Sequence, residues 1–317
     1  MLHSAWALAT GIAVIWLARE RYHLVTWVVA FMALLWASTL FFGRYAAAAD
    51  DGPPGLMAEV TSYVTRILYQ ETLFFLLPLY AYSTVVGSAN VLFLSLLGGL
   101  ALFSCMDLAF DRWLRTRPLF ALAFFTVVTF AALNLVLPLV LGLRPRFSAP
   151  LAALLSVAAA VPLATRTMPT GWWARVQLVS VAAVMLAVPI GFPGTIPPVP
   201  LRLDRATFST GIERGTLTQP DTLDARVSAS TLHGPLVMLA QVFAPAKLPV
   251  NVRVEWWRDG EMLRLSRDIA ITAHASGFRV WDSWRPRSGS IPAGRYKVVL
   301  RTGQRRVFGV ARIRVVE

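Results

Sequence analysis

Cysteine is almost absent from this 317-residue chain. Cys105 is the only one, so no disulfide can close within it and no cysteine-based metal site can be built. Cys105 stands in an apolar run, where a thiol behaves as a small buried hydrophobe. Charge is scarce too: 15% of residues are charged and 56% are hydrophobic, against about 25% and 45–50% in soluble domains. Lysine is confined to Lys247 and Lys297, so arginine carries the net charge of +13. Together with the abundant alanine, that arginine content fits a compositional bias as well as a functional demand. No Gly-rich phosphate loop follows a strand and no Gly-x-Ser-x-Gly elbow occurs. His233 and His274 are too isolated to suggest metal ligands. Neither a cofactor nor a metal is therefore expected.

What is present divides at the proline-rich stretch 193–200 (PGTIPPVP). Before it the sequence is apolar almost without interruption; after it no run is long enough to cross a bilayer. The expected organisation is a membrane domain over 1–197, a linker over 198–203 and a water-facing domain over 204–317. Seven apolar segments qualify as spans, at 2–18, 24–43, 65–86, 89–106, 118–141, 149–165 and 176–192. The first lacks a basic leader and is followed by Arg19-Glu20-Arg21, so it reads as a retained anchor. Pro78, Pro138, Pro162 and Pro189 fall late in four spans and are expected to bend them. The Lys/Arg bias of the short loops favours a cytoplasmic N-terminus, and an odd number of spans then puts the C-terminal domain in the periplasm of a bacterial inner membrane.

Spans three and four are joined by Gly87-Ser88-Ala89-Asn90, a connection short enough for an antiparallel hairpin. Counting outward from it places Glu71 level with Asp107, and Arg66 level with Asp111, with Gln70 one turn from Arg66. Arg66, Gln70, Glu71, Asp107 and Asp111 form a candidate polar cluster at the inner membrane surface. Ionisable groups there are functional suspects, and paired carboxylates would raise one pKa. The same residues also suit a structural clamp or a partner or lipid site, because Asp111 and Arg115 have the spacing of a helix-surface ion pair. Asn134, midway along span five, is expected to bond between helices. Upstream, Leu56, Val60, Val64 and Ile67 recur at helical spacing, either as an interfacial helix or as an extension of span three.

From Thr207 the apolar period changes to two. Val252, Val254 and Trp256 alternate with Arg253, Glu255 and Trp257, and Asp259-Gly260 follows as a hairpin signal. Residues 262–271 read as the returning strand. Phe278, Val280, Asp282 and Trp284 alternate with Arg279, Trp281, Ser283 and Arg285, and two further strands flank Gly303-Gln304. Seven or eight short strands predict an all-β, immunoglobulin-like sandwich. Neighbours on a strand face opposite ways, so Trp257 and Trp281 are expected outward. With Arg279 and Arg285 they form a candidate partner-binding surface suited to stacking and anionic contacts.

The segment Gln70-Glu71-Thr72-Leu73-Phe74-Phe75-Leu76-Leu77-Pro78, with Asp107 after the next span, resembles an uncharacterised family of bacterial inner-membrane proteins. Trp256-Trp257, Asp259-Gly260, the stretch 278–285 and the hairpin 294–315 are similar to a domain of unknown function that ends various bacterial membrane proteins. The resemblance implies no activity. The chain is thus expected to be a polytopic α-helical membrane bundle of about seven spans followed by the sandwich. Its expected role is non-enzymatic: anchoring a periplasmic sandwich that binds an envelope protein, a membrane complex or an anionic glycan, with membrane lipids but no nucleic acid as further partners. The rival expectation is an intramembrane enzyme or transporter working through Glu71, Asp107, Arg66 and Asp111.

Overall fold

The computed structural model describes residues 56–317 apart from 142, 144, 168–170, 200, 214–218, 233, 244–249, 272–277, 287–288 and 304–305, together with the helical positions Trp6, Ala9, Ile12 and Ala13. The expected span 24–43, the expected span 2–18 apart from those four positions, and His233 and His274 lie outside the described residues.

Among the described residues six α-helices with defined bounds precede the sheets: α1 Leu56–Tyr82, α2 Val91–Ser104, α3 Asp107–Thr116, α4 Pro118–Leu141, α5 Pro145–Thr167 and α6 Trp172–Gly191. The apolar positions 56, 60 and 64 continue directly into α1, so they extend that helix. The count of about seven spans is not upheld. Among the described residues, two stretches are long and apolar enough to cross a bilayer, Pro118–Leu139 and Phe147–Ala164; Val91–Ser104 and Arg175–Gly191 are apolar but shorter. Length explains the difference for α2. Its 14 residues rise only about 21 Å, short of a hydrocarbon core of about 30 Å. The apolar run continues past Ser104, but the backbone breaks at Cys105 and Met106 and restarts as the amphipathic α3.

Nine strands follow among the described residues. Strands β1 Arg202–Ser209, β3 Leu236–Phe243 and β7 Phe278–Trp284 form an antiparallel sheet in the order β1-β3-β7. The second sheet runs β2 Arg226–Ser228, β9 Val307–Val316, β8 Gly294–Thr302, β4 Val250–Arg258 and β5 Glu261–Leu265, with β6 Ile269–Ile271 also on β4. The expected all-β, immunoglobulin-like sandwich is corrected here as well: the C-terminal region is β-rich, but β2 pairs parallel to β9 and makes the larger sheet mixed. The returning strand expected over 262–271 is two pieces, β5 and β6, because pairing with β4 lapses between them. Asp259 (φ 48°) and Gly260 (φ 97°) make the tight turn between β4 and β5, the left-handed geometry that an Asp-Gly pair permits. At Gly309 the reason for glycine is proximity: Leu203 of β1 lies where a side chain would begin, so β1 can close on β9.

Alternation assigns the inner faces. Val252, Val254 and Trp256 of β4 are buried, and so are Val280, Asp282 and Trp284 of β7. A buried carboxylate is costly unless it is satisfied. Asp282 accepts the Trp256 indole N–H at 2.9 Å and pairs with Arg264 at 3.3 Å. Because β4 and β7 belong to different sheets, this bond is a polar strut across the core. Phe208 meets the edge of Trp256, and Trp284 packs on Tyr296.

The proline-rich joint is not a loose tether. After α6 a short 3-10 turn, Pro193–Thr195, leads into Ile196, Pro197, Pro198 and Val199, all buried. Ile196 packs with Phe130, Leu137, Ala152 and Ala153 of the helices. Val199 and Leu201 belong to an apolar core that runs without a gap from Leu73 and Phe124 to Trp256 and Leu300.

Replacing Asp282 with alanine would strand the Trp256 indole N–H in the core, a loss of about 1–3 kcal/mol. The expected result is a lower thermal midpoint of the purified chain, followed by tryptophan fluorescence. An unchanged midpoint would show that the strut carries no stability.

Candidate functional site

The five residues of the expected inner cluster divide. The side chains of Arg66, Asp107 and Asp111 lie outside the described residues, although their backbones belong to α1 and α3. Gln70 is buried and donates its side-chain N–H to the carbonyl of Ser104, at the last turn of α2. That bond joins residues 34 apart and equidistant from Gly87, so α1 and α2 pack as a hairpin with Gln70 level with Ser104. It also satisfies one of the carbonyls orphaned where α2 ends, which makes Gln70 a packing residue. Glu71, next on the helix, is half-buried.

Further along α1 the polar contacts cross between elements. Tyr80 donates its hydroxyl to the carbonyl of Ala131 at 2.9 Å and accepts the Asn134 side-chain N–H at 3.0 Å, tying α1 to the middle of α4. Past Tyr82 the chain reverses, and the β-domain meets it there. Asn90, fully buried, donates its amide to the carbonyl of Val307 at 3.0 Å while its oxygen accepts from Val85 N–H at 3.2 Å and from the Ser88 hydroxyl. Arg202 lies over the Tyr82 ring at 4.3 Å and donates to the Tyr82 carbonyl at 3.4 Å. Phe243, paired with Arg202 in the sheet, meets Tyr82 edge-on.

At this seam lies Arg306, at the turn between β8 and β9, with 2% of its surface exposed. Its backbone carbonyl closes the turn onto Thr302 N–H at 2.9 Å. Its Nε and Nη2 have no hydrogen-bond partner among the described residues, and neither do the buried hydroxyls of Thr302 and Ser83. Burial holds the guanidinium pKa well below its ordinary value, at about 10, with the Tyr80 hydroxyl as the group that favours its charge. Arginine in a basic, alternating stretch gives no sequence signal of burial; here it is enclosed where the β-domain meets the helices. Asn90 was more legible, as the last residue of a tight connection.

The expected binding surface is not one surface. Arg279, Trp281 and Arg285 follow the outward parity of β7, with Arg279 and Arg285 exposed and Trp281 half-buried beside Leu239. Trp257 faces out from the other sheet, beside Lys297, and donates to Glu255 at 3.2 Å. The Trp256–Asp282 strut fixes the two outward faces back to back. Among the described residues no group of three or more His, Cys, Asp or Glu could hold a metal ion.

Helices and β-domain thus form one continuous unit with a polar seam. The chain belongs to the family of unknown function DUF5924, whose model matches residues 1–235. The matched region runs through all six helices, the joint, β1 and β2, and stops before β3. No curated protein and no solved structure matches the chain.

A lone buried charge opposes folding, and isosteric apolar replacement of such groups is often stabilising by about 1–4 kcal/mol. Arg306→Met is therefore expected to raise the thermal midpoint at neutral pH. The sign with pH follows from the depressed folded-state value: below about pH 10 the penalty is constant, and above it the folded guanidinium loses its proton before the unfolded one does. Wild-type stability relative to Arg306→Met should then recover above about pH 10. Paired melts at pH 7.5 and 10.5 read the difference; a destabilised variant at pH 7.5 would contradict the assignment.

Proposed function

We propose that this is a non-enzymatic protein of the bacterial cytoplasmic membrane whose helices hold a β-domain against the outer membrane face for binding an envelope component. The observation that carries the membrane reading is the outward surface of the helices. Leu92, Leu96, Leu154, Val179, Val184 and Ile190 are between 46% and 66% exposed. A water-soluble bundle rarely leaves so many large apolar side chains uncovered on three helices, whereas acyl chains suit them. The side on which the β-domain sits follows from charge. The joint to the β-domain packs near Leu137, towards the C-terminal end of the span-length α4, while Arg112, Arg115 and Arg117 precede its N-terminus. Positive ends of short connections remain cytoplasmic, which leaves the β-domain periplasmic.

The binding reading rests on the stripe Arg279, Trp281, Arg285, which leads along β7 away from the seam. Arginine and tryptophan in alternation offer cationic and stacking contacts suited to an acidic glycan or a partner protein. Trp257, on the opposite face, is not part of it.

Two outcomes are expected. A phosphatase fused after Glu317 should be active and a fluorescent protein at the same position dark; the reverse pair would overturn the placement. Envelope components that co-purify with the full chain from native membranes should be lost in Trp281→Ala/Arg285→Ala and retained in Trp257→Ala, and equal retention in both would overturn the proposed surface.

A further inference from the structure

The short helix α3 stands apart from its neighbours in three ways. It is bounded on both sides by non-helical residues, Met106 (φ −86°, ψ 72°) and Arg117 (φ −125°, ψ 81°), so it forms a separate piece between α2 and α4. It is amphipathic along its whole length. Phe110 is fully buried against Phe103 and Phe124, and the far side carries Arg112 and Thr116 in the open. Trp113 bridges the two faces, 47% exposed while its ring meets Phe103 and Phe120 edge-on at 5.3 Å.

On that outer side is a cleft of about 610 Å³ lined by Ala109, Arg112, Trp113, Thr116 and Arg117. Its shape follows from the helix. Ala109 and Thr116 lie one turn before and after the Arg112–Trp113 pair, and their small side chains leave the floor open. Trp113 forms one wall, and two guanidiniums flank the space. The remaining charges of 107–117 are Asp107, Asp111 and Arg115, giving this short stretch a net charge of +1.

We propose that this cleft binds the phosphate of an anionic phospholipid in the cytoplasmic leaflet, an inference that rests on the membrane reading above. Guanidinium groups match phosphate oxygens in paired hydrogen bonds. An indole held between apolar and aqueous surroundings is the side chain favoured at headgroup depth. An amphipathic helix with a basic outer face lies in the plane of that interface. Acyl chains have apolar surface to meet close by in the chain: Leu102 on α2 is 68% exposed and Met106, just before α3, is 60% exposed. Exposed apolar side chains leading into the helix favour a lipid over a free phosphate ion.

The test uses the purified full chain in detergent, with native mass spectrometry reading bound lipid from equimolar phosphatidylglycerol and phosphatidylcholine. Selective retention of phosphatidylglycerol is expected. Arg112→Gln/Arg117→Gln should weaken it by at least ten-fold, since each basic residue near an anionic surface contributes about five-fold. Both residues are exposed, so the variant's thermal midpoint should match the parent's and confirm that it folds. Equal retention of the two lipids overturns the site, as does selectivity unchanged in the double variant. Displacement of the lipid by millimolar inorganic phosphate would overturn the commitment to a lipid. Alkaline extraction of cell membranes separates the two levels: a chain released by carbonate defeats the membrane reading, while a chain retained without phosphatidylglycerol selectivity defeats this site alone.

Discussion

The side chain of Asn90 is the point on which the rest of the molecule turns. Buried at the reversal between α1 and α2, it bonds back to Val85, to Ser88 and across to Val307 of the last strand. One amide therefore shapes the helical hairpin and fixes the β-domain to it. Removing it would leave a backbone carbonyl and a tight connection unsatisfied together, away from water. Around this anchor the apolar core is continuous, so the helices and sheets bury one another's ends. The Arg202–Tyr82 stacking and the enclosure of Arg306 accompany that docking.

Local pattern made part of this legible. The helix at 118–141 and the hairpin at Asp259-Gly260 are written in short-range chemistry, one by length and apolarity and the other by a residue pair that accepts left-handed backbone. The parity of β4 and β7 was equally readable, since Trp256 and Trp284 are inside and Trp257 and Trp281 less so. Parity cannot say which sheet a strand joins. Trp257 and Trp281 were therefore assigned to one surface, although a bond between their inward neighbours, Trp256 and Asp282, turns them away from each other.

The other departures have one physical cause: a tertiary contact overriding a local signal. Apolar sequence continues through residue 106, but α2 stops at Ser104, where Gln70 captures a terminal carbonyl. What hydropathy presents as a full span over 89–106 is a 14-residue helix, followed by an amphipathic one that starts only at Asp107. The parallel pairing of β2 with β9 likewise joins residues nearly ninety positions apart, with only three residues in the shorter strand. Arg306 is the extreme case, because nothing adjacent to it in sequence suggests that it would be enclosed.

The packed joint between helix and sheet has a mechanical consequence. Ile196 is seated among Phe130, Leu137, Ala152 and Ala153, and Pro197 and Pro198 after it are buried. There is no slack to extend when the β-domain is pulled. A load on its outer end would pass through this joint and the Asn90–Val307 bond as shear, reaching α4 and α5 before any chain could pay out. The two parts would yield together or not at all, which makes the protein a strut rather than a leash.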